Sequence, residues 1–167
     1  DKERLADETR KMQDYDAEAV VLMDSSGNYL PRDVKEKVSF LTKNLKISVG
    51  FHAHNNLGMG IANSIAAIEA GALLVDGSSR GFGAGAGNAQ LEVLISVLER
   101  MGYDTGTDLY KILDASDIAE RELVEHLPAI STSSIVSGLS GVFSGYLTPV
   151  KRIAAEYNID PRDLFFE

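Results

Sequence analysis

The stretch "KISVGFHAHNNLGMGIANSIAAIEAGALLVDGS", Lys46 to Ser78, decides the fold. "KISVGFHAH" is a short apolar run ending on polar residues and reads as a strand. "GIANSIAAIEAG" has helical spacing and stops at Gly71, the position after a helix where a left-handed residue is favoured. "ALLVDGS" is then another strand. Two strands joined through a helix are parallel, because antiparallel neighbours need only a short turn.

The same pattern extends on both sides. Upstream, "AEAVVLMD" is a strand closing on Asp24, and "SSGNYLP" is turn chemistry that sets Pro31 in the first turn of the next helix. That helix, "RDVKEKVSFLTKNL", carries Val34, Val38 and Leu41 on one face. The opening "DKERLADETRKMQDY" has a narrow apolar stripe of Leu5, Met12 and Tyr15. Downstream, "NAQLEVLISVLERMG" is a helix stopped by Gly102. The polar ends of the three strands fall at Asp24, His52/His54 and Asp76, about 25 residues apart, a βα spacing. Strands apolar on both faces imply a parallel sheet covered by helices.

From about Asp104 the strands stop. "TGTDLYKILDASDIAERELVEHL" reads as one long helix starting near Thr107 or Asp108, with His126 at its end. "STSSIVSGLSGVFSGYL" reads as a small-residue helix or helix pair, and "TPVKRIAAEYN" as another. The sequence therefore divides into an α/β part, 1–103, and a helical part, 104–167. Three strands make a meagre sheet, and the chain opens on a helix, so the reading is the later half of a larger α/β protein.

Composition bounds the function. The 167 residues carry 25 acidic against 16 basic side chains, a formal net charge of -9, with no cluster of Lys and Arg to neutralise phosphates. Nucleic acid and anionic membrane surfaces are thereby disfavoured as partners. There is no cysteine, so disulfides and thiolate metal sites are excluded, and a reducing cytoplasm fits. The first residues do not form a secretory signal, and the apolar runs are too short to span a bilayer.

The chemistry concentrates at the strand ends. Alternation along a strand turns His52 and His54 to one side, at the C-terminal rim where parallel α/β folds place their ligands. Two imidazoles suit a divalent metal with open positions; two hydrogen-bonded histidines without a metal are the plainer alternative. Asp24 and Ser25 reach the same rim, either to meet a carboxylate substrate or to form the turn. Asp76 and Ser78 carry the same ambiguity. "RGFGAGAGNAQLE" lacks both the dinucleotide and the P-loop patterns, so close packing explains its glycines better than nucleotide binding. "GSSRG" matches a nucleophile elbow at Ser79, but a glycine-rich loop follows it instead of a helix, which argues against a serine hydrolase.

Taken together, "MDSSGN", "GFHAHNNLGMGIANSIAAIEAGA", "VDGSSRGFGAGAGNAQLEVL" and "GTDLYKILDASD" closely resemble the 4-hydroxy-2-oxovalerate aldolase family, class II pyruvate aldolases of the HMG-CoA-lyase-like superfamily. The resemblance covers nearly the whole chain. It implies the last three strands of a TIM (β/α)8 barrel, followed by a helical region that shapes the site and the subunit contacts of an oligomer. It implies a divalent cation, usually manganese, on His52 and His54, with Ser25 and His52 against a 2-oxoacid substrate. The family's usual tyrosine at the substrate site is Phe143 here, and Tyr146 compensates if both lie on one helix face.

The implied reaction is retro-aldol cleavage of a 4-hydroxy-2-oxoacid to pyruvate and an aldehyde. Many relatives pass the aldehyde to an acylating acetaldehyde dehydrogenase. The family's third metal ligand, its arginine and its base belong to the start of the barrel, so no catalytic base is assigned in this chain, which alone is expected to be inactive. Two other readings stand beside it: another HMG-CoA-lyase-like lyase or acyl-transferring synthase, and an incomplete fragment that serves as an oligomerisation piece through its open sheet edge.

Overall fold

The computed structural model describes residues 2–123 and 125–166. Helix α1 (Lys2–Asp14) leads into strand β1 (Ala19–Asp24), helix α2 (Pro31–Asn44), strand β2 (Ser48–Ala53), helix α3 (Gly60–Glu69) and strand β3 (Leu74–Val75). Helices α4 (Leu91–Arg100), α5 (Leu109–Glu122), α6 (Thr132–Ser140) and α7 (Leu147–Tyr157) follow. The strands pair in parallel in the order β1-β2-β3. Met23 lies opposite His52, and Gly50 opposite both Val21 and Leu74.

The register sorts side chains into two unequal faces. Val20 and Leu22 of β1 and Val49, Phe51 and Ala53 of β2 are buried, and they pack with Val34, Val38 and Leu41 of α2 and Ala66 and Ala67 of α3 into one core. Burial at period 3.6 on α2 meets burial at period 2 on the strands, which is why one face of each element closes on the other. The opposite sheet face is open, with Val21 and Met23 about half exposed. Helices on one face only are the wall of a (β/α)8 barrel; a doubly wound sheet would be covered on both. The open face is the one that turns to the barrel axis, so the expectation of a sheet covered by helices holds for one face alone.

Other local readings change as well. "ALLVDGS" pairs as a strand only at Leu74 and Val75 before the chain turns away. Helix α5 is capped at its start by the Asp108 side chain, which accepts from the Lys111 amide, but it ends at Glu122. Pro128 disfavours helical backbone at the residue before it, and His126 sits in an exposed bend beyond the helix, not at its end. Helix α6 stops at Gly141, which is left-handed at φ 72°. The segment then makes a 3-10 turn, Ser144–Tyr146, with Phe143 just before it. Among the described residues, no helix is long and apolar enough to cross a membrane.

Candidate functional site

The C-terminal ends of β1 and β2 and the first residues beyond them form a cleft of about 490 Å³, lined by Met23, Ser25, His52, His54, Ala84, Asn88, Phe143 and Tyr146. Ser25, His52, His54 and Phe143, the residues singled out in the sequence, thus share one wall system. The two imidazoles lie with ring centroids 5.0 Å apart, nearly perpendicular. His54 lies just past the end of β2 and bridges to Asn88 in antiparallel fashion, which ties the rim to the glycine-rich loop.

Each imidazole is held through the same nitrogen. His54 donates from Nδ1 to the carbonyl of Asp24 at 2.9 Å, since a carbonyl can only accept. His52 Nδ1 lies 2.5 Å from Asp76 Oδ1 and donates to that carboxylate. Both rings therefore keep the Nε2 lone pair free, the arrangement seen when a second partner orients a metal-binding histidine. Burial depresses the His54 pKa, and the neighbouring His52 adds to the effect, while the bond to Asp24 opposes it. His54 is thus favoured in its neutral form.

Asp24 plays the turn-forming role. It is buried, and its two oxygens accept from the amides of Asn28 and Tyr29 at 3.0 and 3.1 Å. Burial raises its pKa, and those backbone donors oppose the shift. The side chain is spent on the loop, and its carbonyl aims His54. Asp76, by contrast, is bound to His52 and reaches the rim.

The third wall comes from far along the chain. The Phe143 ring sits 6.1 Å from His54 and 6.5 Å from Tyr146, edge to face in both cases. The two aromatics do not share an α-helix face. They meet because residues three apart nearly eclipse in a 3-10 turn. The glycine-rich loop is close packing, as its composition suggests: a Cβ at Gly85 would lie 2.6 Å from Ser144 Cβ and 2.7 Å from Asn56 Oδ1. Ser79 sits in a 3-10 turn, Ser79–Gly81, with no strand-to-helix elbow.

Asn88 was not singled out by the sequence reading. Its Nδ2 donates to the Phe82 carbonyl at 3.0 Å and to Ser78 Oγ at 3.3 Å, while its Oδ1 is buried without a partner. An asparagine between a glycine loop and a helix is the only signal in the sequence, and it is shared with ordinary turns. Among the described residues no cluster of three or more His, Cys, Asp or Glu side chains could hold a metal ion. The two imidazoles, each with Nε2 free, are the donors the cleft offers, and two such donors fit an open cation site with free positions and not a closed structural one.

Comparison with known proteins agrees with this architecture. The HMGL-like family model matches residues 1–119, and the model of the DmpG-like communication domain matches residues 128–167. The 4-hydroxy-2-oxovalerate aldolase of Spirochaeta aurantia is 66% identical over 163 residues, covering 98% of this chain and 48% of that protein. The protein of the same name from Pectobacterium atrosepticum is 60% identical over 162 residues, covering 97% and 47%. The chain spans about half the length of the curated relatives it matches. The carboxyl transferase domain of Rhizobium etli pyruvate carboxylase superposes with a TM-score of 0.79 over 97% of this chain and 28% of that one, at 20% identity, which speaks for the fold alone. The parallel one-sided sheet, the paired histidines at its rim and the matching family model have one conclusion: the chain belongs to the HMGL-like family and groups there with the 4-hydroxy-2-oxovalerate aldolases.

Proposed function

We propose that this chain forms part of a divalent-metal-dependent aldolase that cleaves a 4-hydroxy-2-oxoacid into pyruvate and an aldehyde. The observation that carries the reading is the shared orientation of His52 and His54, each bound through Nδ1 and free at Nε2, in a cleft that also holds Ser25 and Phe143. The names of the relatives support the same reaction class.

In this reading His52 and His54 hold the cation, most simply manganese, and the third protein ligand comes from a part of the barrel outside this chain. When bound, the cation supplies Lewis-acid polarisation of the substrate's carboxylate and 2-keto oxygens. The protein's own groups do the rest. Asp76 and the Asp24 carbonyl fix the tautomers and aim the rings, Ser25 donates its hydroxyl to the substrate carboxylate, and Phe143 and Tyr146 cover the alkyl end and exclude water. Phe143 brings no hydroxyl to that end, whereas Tyr146 does. The acceptor of the 4-hydroxyl proton comes from a part of the barrel outside this chain. Residues 1–103 act as barrel wall and 104–167 as the region over the site, whose last part meets an acylating acetaldehyde dehydrogenase.

The full-length protein is expected to release equal amounts of pyruvate and acetaldehyde from 4-hydroxy-2-oxovalerate. Chelation should abolish the release and manganese restore it, with no need for a coenzyme A thioester. Turnover that survives exhaustive chelation, or that needs a thioester, would remove this assignment. Asp76→Ala tests the aiming of His52: manganese affinity should fall about tenfold, the low end of such outer partners because Asp76 is open to water that can replace it. A direct manganese titration with unchanged affinity would show that Asp76 is idle.

A further inference from the structure

Asn56 has no exposed surface, yet its side chain is fully used. Nδ2 donates to the Ser26 carbonyl at 2.9 Å and to Ser144 Oγ at 2.5 Å, and Oδ1 accepts from the Ala86 amide at 3.1 Å. Those three partners lie on three different segments: the loop after β1, the glycine-rich loop and the 3-10 turn before α7. Each is next to, or two residues from, a residue of the cleft: Ser25 beside Ser26, Ala84 before Ala86, and Phe143 beside Ser144. Asn56 itself follows His54 by two residues. The packing around it has little room: a Cβ at Gly27 would come 2.8 Å from the Asn56 amide nitrogen, and one at Gly138 3.3 Å from Asn56 Cβ.

We infer that Asn56 is a positioning residue that sets the distance between the histidine wall and the Phe143–Tyr146 wall, and so the room left for the alkyl end of the substrate. It touches no reacting atom. A buried amide with all its polar groups satisfied by separate segments holds those segments in one geometry, because releasing any of them leaves a polar group unpaired out of water. The Ser144 bond is the tether of the aromatic wall, since that segment is reached by no other side chain of the loop after β2 among the hydrogen bonds described. The kinetic form of the inference rests on the retro-aldol reading above; its structural form does not.

The test uses Ser144→Ala in the full-length, manganese-loaded protein, with Asn56→Ala beside it. Ser144→Ala removes only the aromatic wall's tether and leaves the Asn56 bonds to Ser26 and Ala86. Its KM should rise about tenfold, the size of one buried hydrogen bond, with kcat within about threefold. The preference among 4-hydroxy-2-oxoacids of increasing alkyl length should flatten, and manganese affinity should stay unchanged. Asn56→Ala should flatten the preference at least as far. A protein merely weakened by the change would lose active fraction, lowering kcat at constant KM, so the split between the two constants separates the roles.

A Ser144→Ala protein with unaltered KM and unaltered length preference overturns the inference. If the unmodified protein itself shows no retro-aldol turnover, the proposed function fails and amide hydrogen exchange decides the inference alone. Exchange at 142–147 about tenfold faster in Ser144→Ala, with β1 and β2 unchanged, then upholds it, and unchanged exchange at 142–147 overturns it.

Discussion

Alanine at both His52 and His54 in the full-length protein should remove the bound divalent metal and lower kcat/KM for pyruvate release by at least about a thousandfold, the several kcal/mol that a Lewis-acid cation contributes at a developing oxyanion. The two positions differ in their side effects. His52 faces the cleft and its bond goes to an Asp76 that water can reach, so His52→Ala should change stability by less than about 1 kcal/mol. His54 is buried against the loop after β1, so His54→Ala also leaves the Asp24 carbonyl without its donor and costs about 1–3 kcal/mol. Elemental analysis and pyruvate assays of the two single variants therefore separate metal loss from loosening: His52→Ala should be metal-poor yet as stable as the parent. One metal per chain and full turnover in the double variant would exclude these histidines as ligands.

Gly85→Ala should cost well more than its left-handed backbone alone accounts for. Gly85 has φ 66°, which costs an L-residue about 1–2 kcal/mol. Its added Cβ would also press on Ser144 Cβ and on the Asn56 oxygen that accepts from Ala86. Neither neighbour yields cheaply, since Asn56 is committed to three hydrogen bonds, so overpacking adds about 1–3 kcal/mol. Gly102→Ala is the matched control. It shares the left-handed backbone, at φ 89°, but a Cβ there meets nothing within 4 Å, so only the backbone cost of about 1–2 kcal/mol remains. Urea midpoints of the two variants give the difference directly. Equal losses would mean that the loop moves freely away from Ser144, and the packing argument for the cleft would go with it.

The parts of the molecule that were legible in the sequence are those written in a local period. Val34, Val38 and Leu41 announce the buried face of α2, and the left-handed Gly71 and Gly102 mark the ends of α3 and α4. His52 and His54 sit where the strand reading sets them, because the side-chain period of a strand needs no knowledge of its neighbours. The errors have physical reasons too. Helix propensity alone carries α5 on towards His126, whereas the helix ends at Glu122 and Pro128 disfavours helical backbone only at the residue before it. Phe143 and Tyr146 look like helix-face partners, but Gly141 ends α6 before them.

What the sequence by itself determined is the parallel α/β order and the placing of two histidines at the rim; the open sheet face that marks a barrel wall was decided by the tertiary structure. Tertiary structure alone decided the site's geometry. It chose which imidazole nitrogen is free, by putting Asp76 and the Asp24 carbonyl against Nδ1. It turned Asp24 from a rim acid into a loop anchor, and it joined Asn56 to Ser144 across 88 positions of chain. Periodic burial is a property of neighbours along the chain and survives in the sequence. A hydrogen bond between distant segments depends on the path of everything between them, so no local pattern records it.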